Sequence, residues 1–70
     1  MSTLADVVLP LPLYKYFTYR IPSDLQEALQ IGSRVVVPFG RKKYYTAIVV
    51  RLHDVMPRGY EVKELISVLD

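Results

Sequence analysis

The chain contains no cysteine and a single histidine, His53. No disulfide, thiol nucleophile or Cys-containing zinc site can therefore form, and a multi-histidine metal site is excluded by the same count. No phosphate-loop signature, GxxxxGK followed by Ser or Thr, occurs anywhere in the 70 residues. Paired acid and base groups at a useful spacing are missing, and the serines have no general base to activate them. No apolar run reaches the ~18 residues that a membrane span needs. The opening MSTLADVVLPLPLY lacks the basic start of a secretory signal, so the cytoplasm is the expected compartment. A chain this short buries only about 60% of the surface it exposes when unfolded. It is expected to form one domain, residues 1–70, stabilised by its core alone and too small for a deep catalytic cleft.

What the chain does have is apolar and aromatic. Hydrophobic residues make up 51% of it and six are tyrosines, a composition that argues for a folded domain. Net charge is only +2, so the placement of charge is more informative than its sum. Asp24 and Glu27 share one connector and Glu61 and Glu64 lie near the end, whereas Arg41, Lys42 and Lys43 are consecutive and follow Gly40. The plain reading of such a cluster is a solvated turn between two strands.

Strand patterns fill most of the chain. Thr3 to Leu9 is apolar and is closed by Pro10, which cannot donate to a ladder. Phe17, Tyr19 and Ile21 alternate with Thr18 and Arg20 until Pro22, the period of two expected when one sheet face is buried. Ser23 is placed to cap a short helix over Asp24 to Leu29 that ends at Gly32. Ser33 to Phe39 predicts a third strand with Val35, Val37 and Phe39 on one face, and Pro38 places part of it at an edge or bulge. Gly40 allows the positive φ of a tight turn. A fourth strand from Lys43 to His53 carries Tyr45, Ala47 and Val49 on one face and Tyr44, Ile48, Val50 and Leu52 on the other, so it is expected to curl across a barrel. Met56 to Tyr60 forms a loop, and Leu65 to Leu69 a fifth strand. The fold class that follows is mainly β: a small, antiparallel, partly closed five-stranded barrel with at most one short helix, since closure removes exposed edges. An open sheet covered by the helix is the alternative.

Three stretches, VVLPLPLYKYFTYRIP, IGSRVVVPFGRKKYYTAIVV and KELISVLD, together resemble the N-terminal 3′-DNA-binding domain of the primosomal replication-restart helicase PriA (primosomal protein N′). The resemblance covers nearly the whole chain. It implies a module that captures the 3′ end of a nascent strand at stalled or branched forks, as a fragment of a larger helicase. It also implies DNA, the remainder of the helicase, other primosome proteins and single-strand-binding proteins as partners, with no membrane, in the bacterial cytoplasm at the nucleoid. ATP and zinc are implied for the full-length protein. None is expected for this fragment, which would not be an enzyme. By position, the resemblance assigns the terminal-nucleotide pocket to Phe17, Thr18, Gly40 and Lys63. Thr18 departs from the pattern, because the relatives carry an aspartate there; either its hydroxyl takes over the contact or the backbone at that position matters more.

Physical chemistry gives these residues plausible work apart from the resemblance. A base stacks on an exposed aromatic ring for about 1–3 kcal/mol whatever its identity. Gly40, without a Cβ, admits a phosphate or sugar close to turn N–H groups. Lys63 and some of Arg41, Lys42 and Lys43 neutralise backbone phosphates. Each residue also has a plain reading. The alternation makes Phe17 a core residue, Gly40 an ordinary turn glycine and Lys63 a surface lysine. Tyr44 and Tyr45 point to opposite faces, and His53 beside Asp54 reads as a solvated turn pair. A general single-stranded nucleic-acid-binding barrel, and a protein-interaction barrel docking through Tyr14, Tyr16 and Tyr60, are the alternative functions.

Overall fold

A computed structural model describes residues 2–13, 15–59 and 61–69. They form β1 (Leu4–Val8), β2 (Phe17–Arg20), β3 (Arg34–Pro38), β4 (Tyr44–His53), β5 (Lys63–Glu64) and β6 (Ser67–Val68), with one 3-10 turn at Ser23–Leu25. The strands make a single curled sheet in the order β5-β2-β1-β4-β3-β6, so the expected mainly β, partly closed barrel is the fold observed. Among the described residues no helix is long and apolar enough to cross a membrane.

β4 is responsible for the curl. It pairs with β3 from Tyr44 to Ile48 and with β1 from Ile48 to His53, handing over from one neighbour to the other near its midpoint. Where Asp6 pairs with Arg51 and Val7 with Val49, Val50 is left over as a bulge. An extra residue in one strand reverses the inward-outward phase beyond it. The sequence pattern therefore assigns the second half of β4 to the wrong face: Leu52 pairs with Ala5 and packs against the core instead of sharing a face with Ile48. Arg51 and His53, which strict alternation groups with Val49, turn outward.

The predicted fifth strand, Leu65 to Leu69, is present as β6, and β5 is a further short strand ahead of it. β5 runs parallel to β2, through Tyr19–Lys63 and Arg20–Glu64, while β6 runs antiparallel to β3, through Val35–Val68 and Val36–Ser67. Between them the backbone changes edges within one residue: Leu65 N–H donates to Arg20 O at 3.0 Å and Ile66 N–H to Val36 O at 2.8 Å. The C-terminal segment thus joins both edges of the sheet, and Leu65, 2% exposed, plugs the seam. β6 is the strand expected there, antiparallel to β3 and shortened to Ser67–Val68, with Leu65 N–H bonding to the opposite edge.

Ala5, Val7, Tyr19, Val35, Val37, Ala47 and Val49 fill the interior, each such aliphatic side chain contributing roughly 1.5–3 kcal/mol when fully buried, less for alanine. Val35 and Val37 lie on the face the alternation assigned them, and β1 ends before Pro10 as expected. The predicted helix shrinks to the 3-10 turn. Its preceding residue is Pro22, no side chain caps it, and Leu25 and Leu29 pack on the core from this connector without an extended helix.

Candidate functional site

Phe17 opens β2 half-buried. Its ring meets Phe39 edge-on, with centroids 5.0 Å apart, and Phe39 meets Tyr45 likewise at 6.2 Å. Lys15 Nζ lies 5.0 Å from the centre of the Phe17 ring, a cation–π distance. Core and exposed readings of Phe17 are thus both partly right, since one side packs and another stays open. The neighbouring β3–β4 turn is held from both ends. Phe39 N–H donates to Lys43 O at 3.0 Å, and the Tyr19 hydroxyl donates to Pro38 O at 2.7 Å, tying the turn to β2. Gly40 has φ 74° and, unexpectedly, Lys42 has φ 54°, so a lysine shares the left-handed conformation the pattern reserved for glycine. β5 reaches only Tyr19 and Arg20, leaving Phe17 and Thr18 beyond its end.

These elements enclose a cavity of about 440 Å³ at the end of β5, and Phe17, Thr18, Gly40 and Lys63 all line it. The volume falls within the ~300–1,000 Å³ of small-ligand pockets. Beside Gly40 nothing lies within 4 Å of where a Cβ would stand, so the bend is open. Arg41, Lys42 and Lys43 are exposed and are not lining residues. Tyr44 is exposed and Tyr45 half-buried, on opposite faces as expected. Tyr14 and Tyr60 lie outside the described residues; Tyr16 is exposed and lines the cavity. The family model of the 3′DNA-binding domain (3′BD) of PriA matches residues 6–70.

The chain belongs to that family. It is a DNA-binding domain and not a catalytic one. No curated protein matches it.

Within this PriA-type 3′-DNA-binding domain the hydroxyl of Thr18 is already engaged: Oγ1 donates to Asp6 Oδ1 at 2.6 Å across the β1–β2 pair. Asp6, buried in the apolar strand LADVV, also accepts Arg51 Nε at 3.0 Å and lies 2.8 Å from His53 Nε2. Val55 N–H donates to His53 Nδ1 at 3.0 Å, which leaves the ring proton on Nε2 to point at Asp6. His53 is therefore not a solvated partner of Asp54, because the β4 bulge turns it toward β1; Asp54 instead accepts from the N–H and hydroxyl of Thr3. Burial pushes the Asp6 carboxyl up, but the hydrogen bonds from Thr18, His53 and Arg51 outweigh it and hold the group below the ordinary carboxylate value. The backbone and side-chain bonds of Thr3 lower Asp54 as well. No group of three or more His, Cys, Asp or Glu among the described residues is placed to hold a metal ion.

The sequence pattern gave no sign of the Asp6 cluster or of several residues in the cavity wall, Phe39 and Glu61 among them. A signal for the first lay in residue type rather than in spacing: a lone acid inside an apolar strand is costly unless paired, and Arg51 and His53 were its only basic candidates on the long strand. Glu61 carried no such mark.

Proposed function

We propose that the cavity captures the free 3′ end of a nascent DNA strand at a stalled or branched fork, within a larger replication-restart helicase of the bacterial cytoplasm, which would supply the ATP-driven step. One observation supports this above the rest: Phe17, Thr18, Gly40 and Lys63, assigned from distant parts of the sequence, meet around one open cavity of about 440 Å³. The half-open ring of Phe17 offers a stacking face indifferent to base identity. The bare bend at Gly40 admits the terminal sugar, and Lys63 stands where it can balance the adjoining phosphate. Glu61 adds an anion to the same wall. It accepts a hydrogen bond from a 3′ hydroxyl and repels a 3′ phosphate, which gives the site a reason to prefer an unblocked end. Arg41, Lys42 and Lys43, exposed on the adjoining turn, draw the backbone in by long-range attraction.

Fluorescence anisotropy with matched oligonucleotides tests the reading. Binding that is blocked by a 3′ phosphate and insensitive to a 5′ phosphate is the expected result. Equal affinity for both would instead make this a general single-strand binder.

A further inference from the structure

We propose that Arg51 contacts a backbone phosphate of the same strand whose 3′ end enters the first cavity, making the Asp6–Arg51–His53 cluster a second DNA subsite. The inference rests on the 3′-end reading and extends it. A separate cavity of about 400 Å³ is lined by Asp6, Thr18, Arg51, His53, Val55 and Pro57. Thr18 lines both cavities, so they meet at one residue of β2. The connector after β4 walls both as well, giving Val55 and Pro57 to this one and Gly59 and Glu61 to the other.

The cluster is built to present a cation. Asp6, with its side chain 7% exposed, holds Arg51 through Nε, while the Arg51 side chain remains 64% exposed. Thr18 and His53 both engage the other carboxylate oxygen, Oδ1. The pair is therefore an oriented dipole with its positive end outward, and the Nη groups of a guanidinium fixed in this way suit a phosphate. The exposed guanidinium lines the second cavity, which adjoins the terminal-nucleotide site at Thr18.

The test uses a 3′-hydroxyl oligonucleotide carrying a single methylphosphonate at each linkage in turn near the end. For the unmodified domain, one position is expected to weaken binding several-fold and to lower the salt slope by about 0.7. In Arg51→Gln that position loses its effect while the others keep theirs. Because removing Arg51 alone leaves Asp6 unpaired, the double variant Asp6→Asn/Arg51→Gln, which removes both charges, is measured alongside. A methylphosphonate pattern unchanged in both variants overturns the assignment of Arg51. Failure of the unmodified domain to prefer a 3′ hydroxyl over a 3′ phosphate overturns instead the reading on which it rests.

Discussion

Replacing Phe17 separates packing from recognition. Truncating a fully buried phenylalanine to alanine costs about 3–5 kcal/mol. Phe17 is half-buried, which scales this to roughly 1.5–2.5 kcal/mol, and loss of the edge-on pair with Phe39 at 5.0 Å adds about 0.5–1.5 kcal/mol. A domain of 70 residues has a stability of roughly 3.5–10 kcal/mol, so Phe17→Ala destabilises the fold substantially and most of that range leaves it standing. Binding falls at the same time by one stacking contact, about 1–3 kcal/mol, or roughly 5- to 150-fold in affinity. Phe17→Leu distinguishes the two effects, since an aliphatic side chain keeps most of the burial and costs about 1 kcal/mol of stability, yet offers no π face. Urea unfolding followed by circular dichroism gives the first quantity, and anisotropy with a 3′-hydroxyl oligonucleotide the second. If Phe17→Leu binds as tightly as the unmodified domain, the ring is packing alone and the stacking argument is wrong.

Lys63→Ala, at an exposed position, should change stability by no more than about 0.5 kcal/mol and lower the salt slope of single-strand binding by about 0.7; an unchanged slope removes it from the site. Gly40→Ala meets no atom but keeps φ 74°, so it should lose about 1–2 kcal/mol, while Lys42→Gly at φ 54° should gain up to about 1 kcal/mol; denaturation midpoints moving the other way would contradict the turn geometry. For Asp6 the sign follows from its depressed value. The ionised form is favoured by folding, so its contribution is complete above the ordinary carboxylate value of about 3.9 and is lost as pH falls below it. Asp6→Asn should therefore be less stable than the unmodified domain at neutral pH, with the gap narrowing below about pH 4, and a gap that persists at pH 2 would refute the charge-based account.

Elements whose side chains follow a strict period were legible, and those set by a change of period or partner were not. β2 and β3 alternate without interruption, so Tyr19, Val35 and Val37 were placed on the buried face from pattern alone. The bulge at Val50 has no local mark, because valine suits either side of it, and a single skipped residue was enough to misplace Leu52. In the C-terminal segment β6 was expected and β5 was not. Its two short pairings are decided by which edge of a curled sheet lies within reach, and a period of two says nothing about which edge that is. In the site, the positions assigned by resemblance converge on one cavity, while Glu61 escaped notice because an exposed acid near a chain end looks the same whether or not a cavity lies beside it.

That convergence depends on the closure of the barrel. Lys63 enters the cavity wall because β5 pairs with Tyr19 and Arg20 of β2, and β5 is held there because the chain crosses within one residue to β3, with Leu65 buried at the crossing. Gly40 is brought up from the other side by the Tyr19 hydroxyl on Pro38 O. Tyr19 thus takes part in both, pairing with Lys63 through its backbone and holding the turn through its side chain. Tyr19→Phe keeps the ring and the strand pairing but leaves the Pro38 carbonyl without that donor. It should cost about 0.5–1.5 kcal/mol of stability and weaken 3′-end binding without altering the salt slope, because no charge is lost. A change in slope as large as that of Lys63→Ala would mean that Tyr19 instead positions the lysine, and that the two sides of the cavity are not independently held.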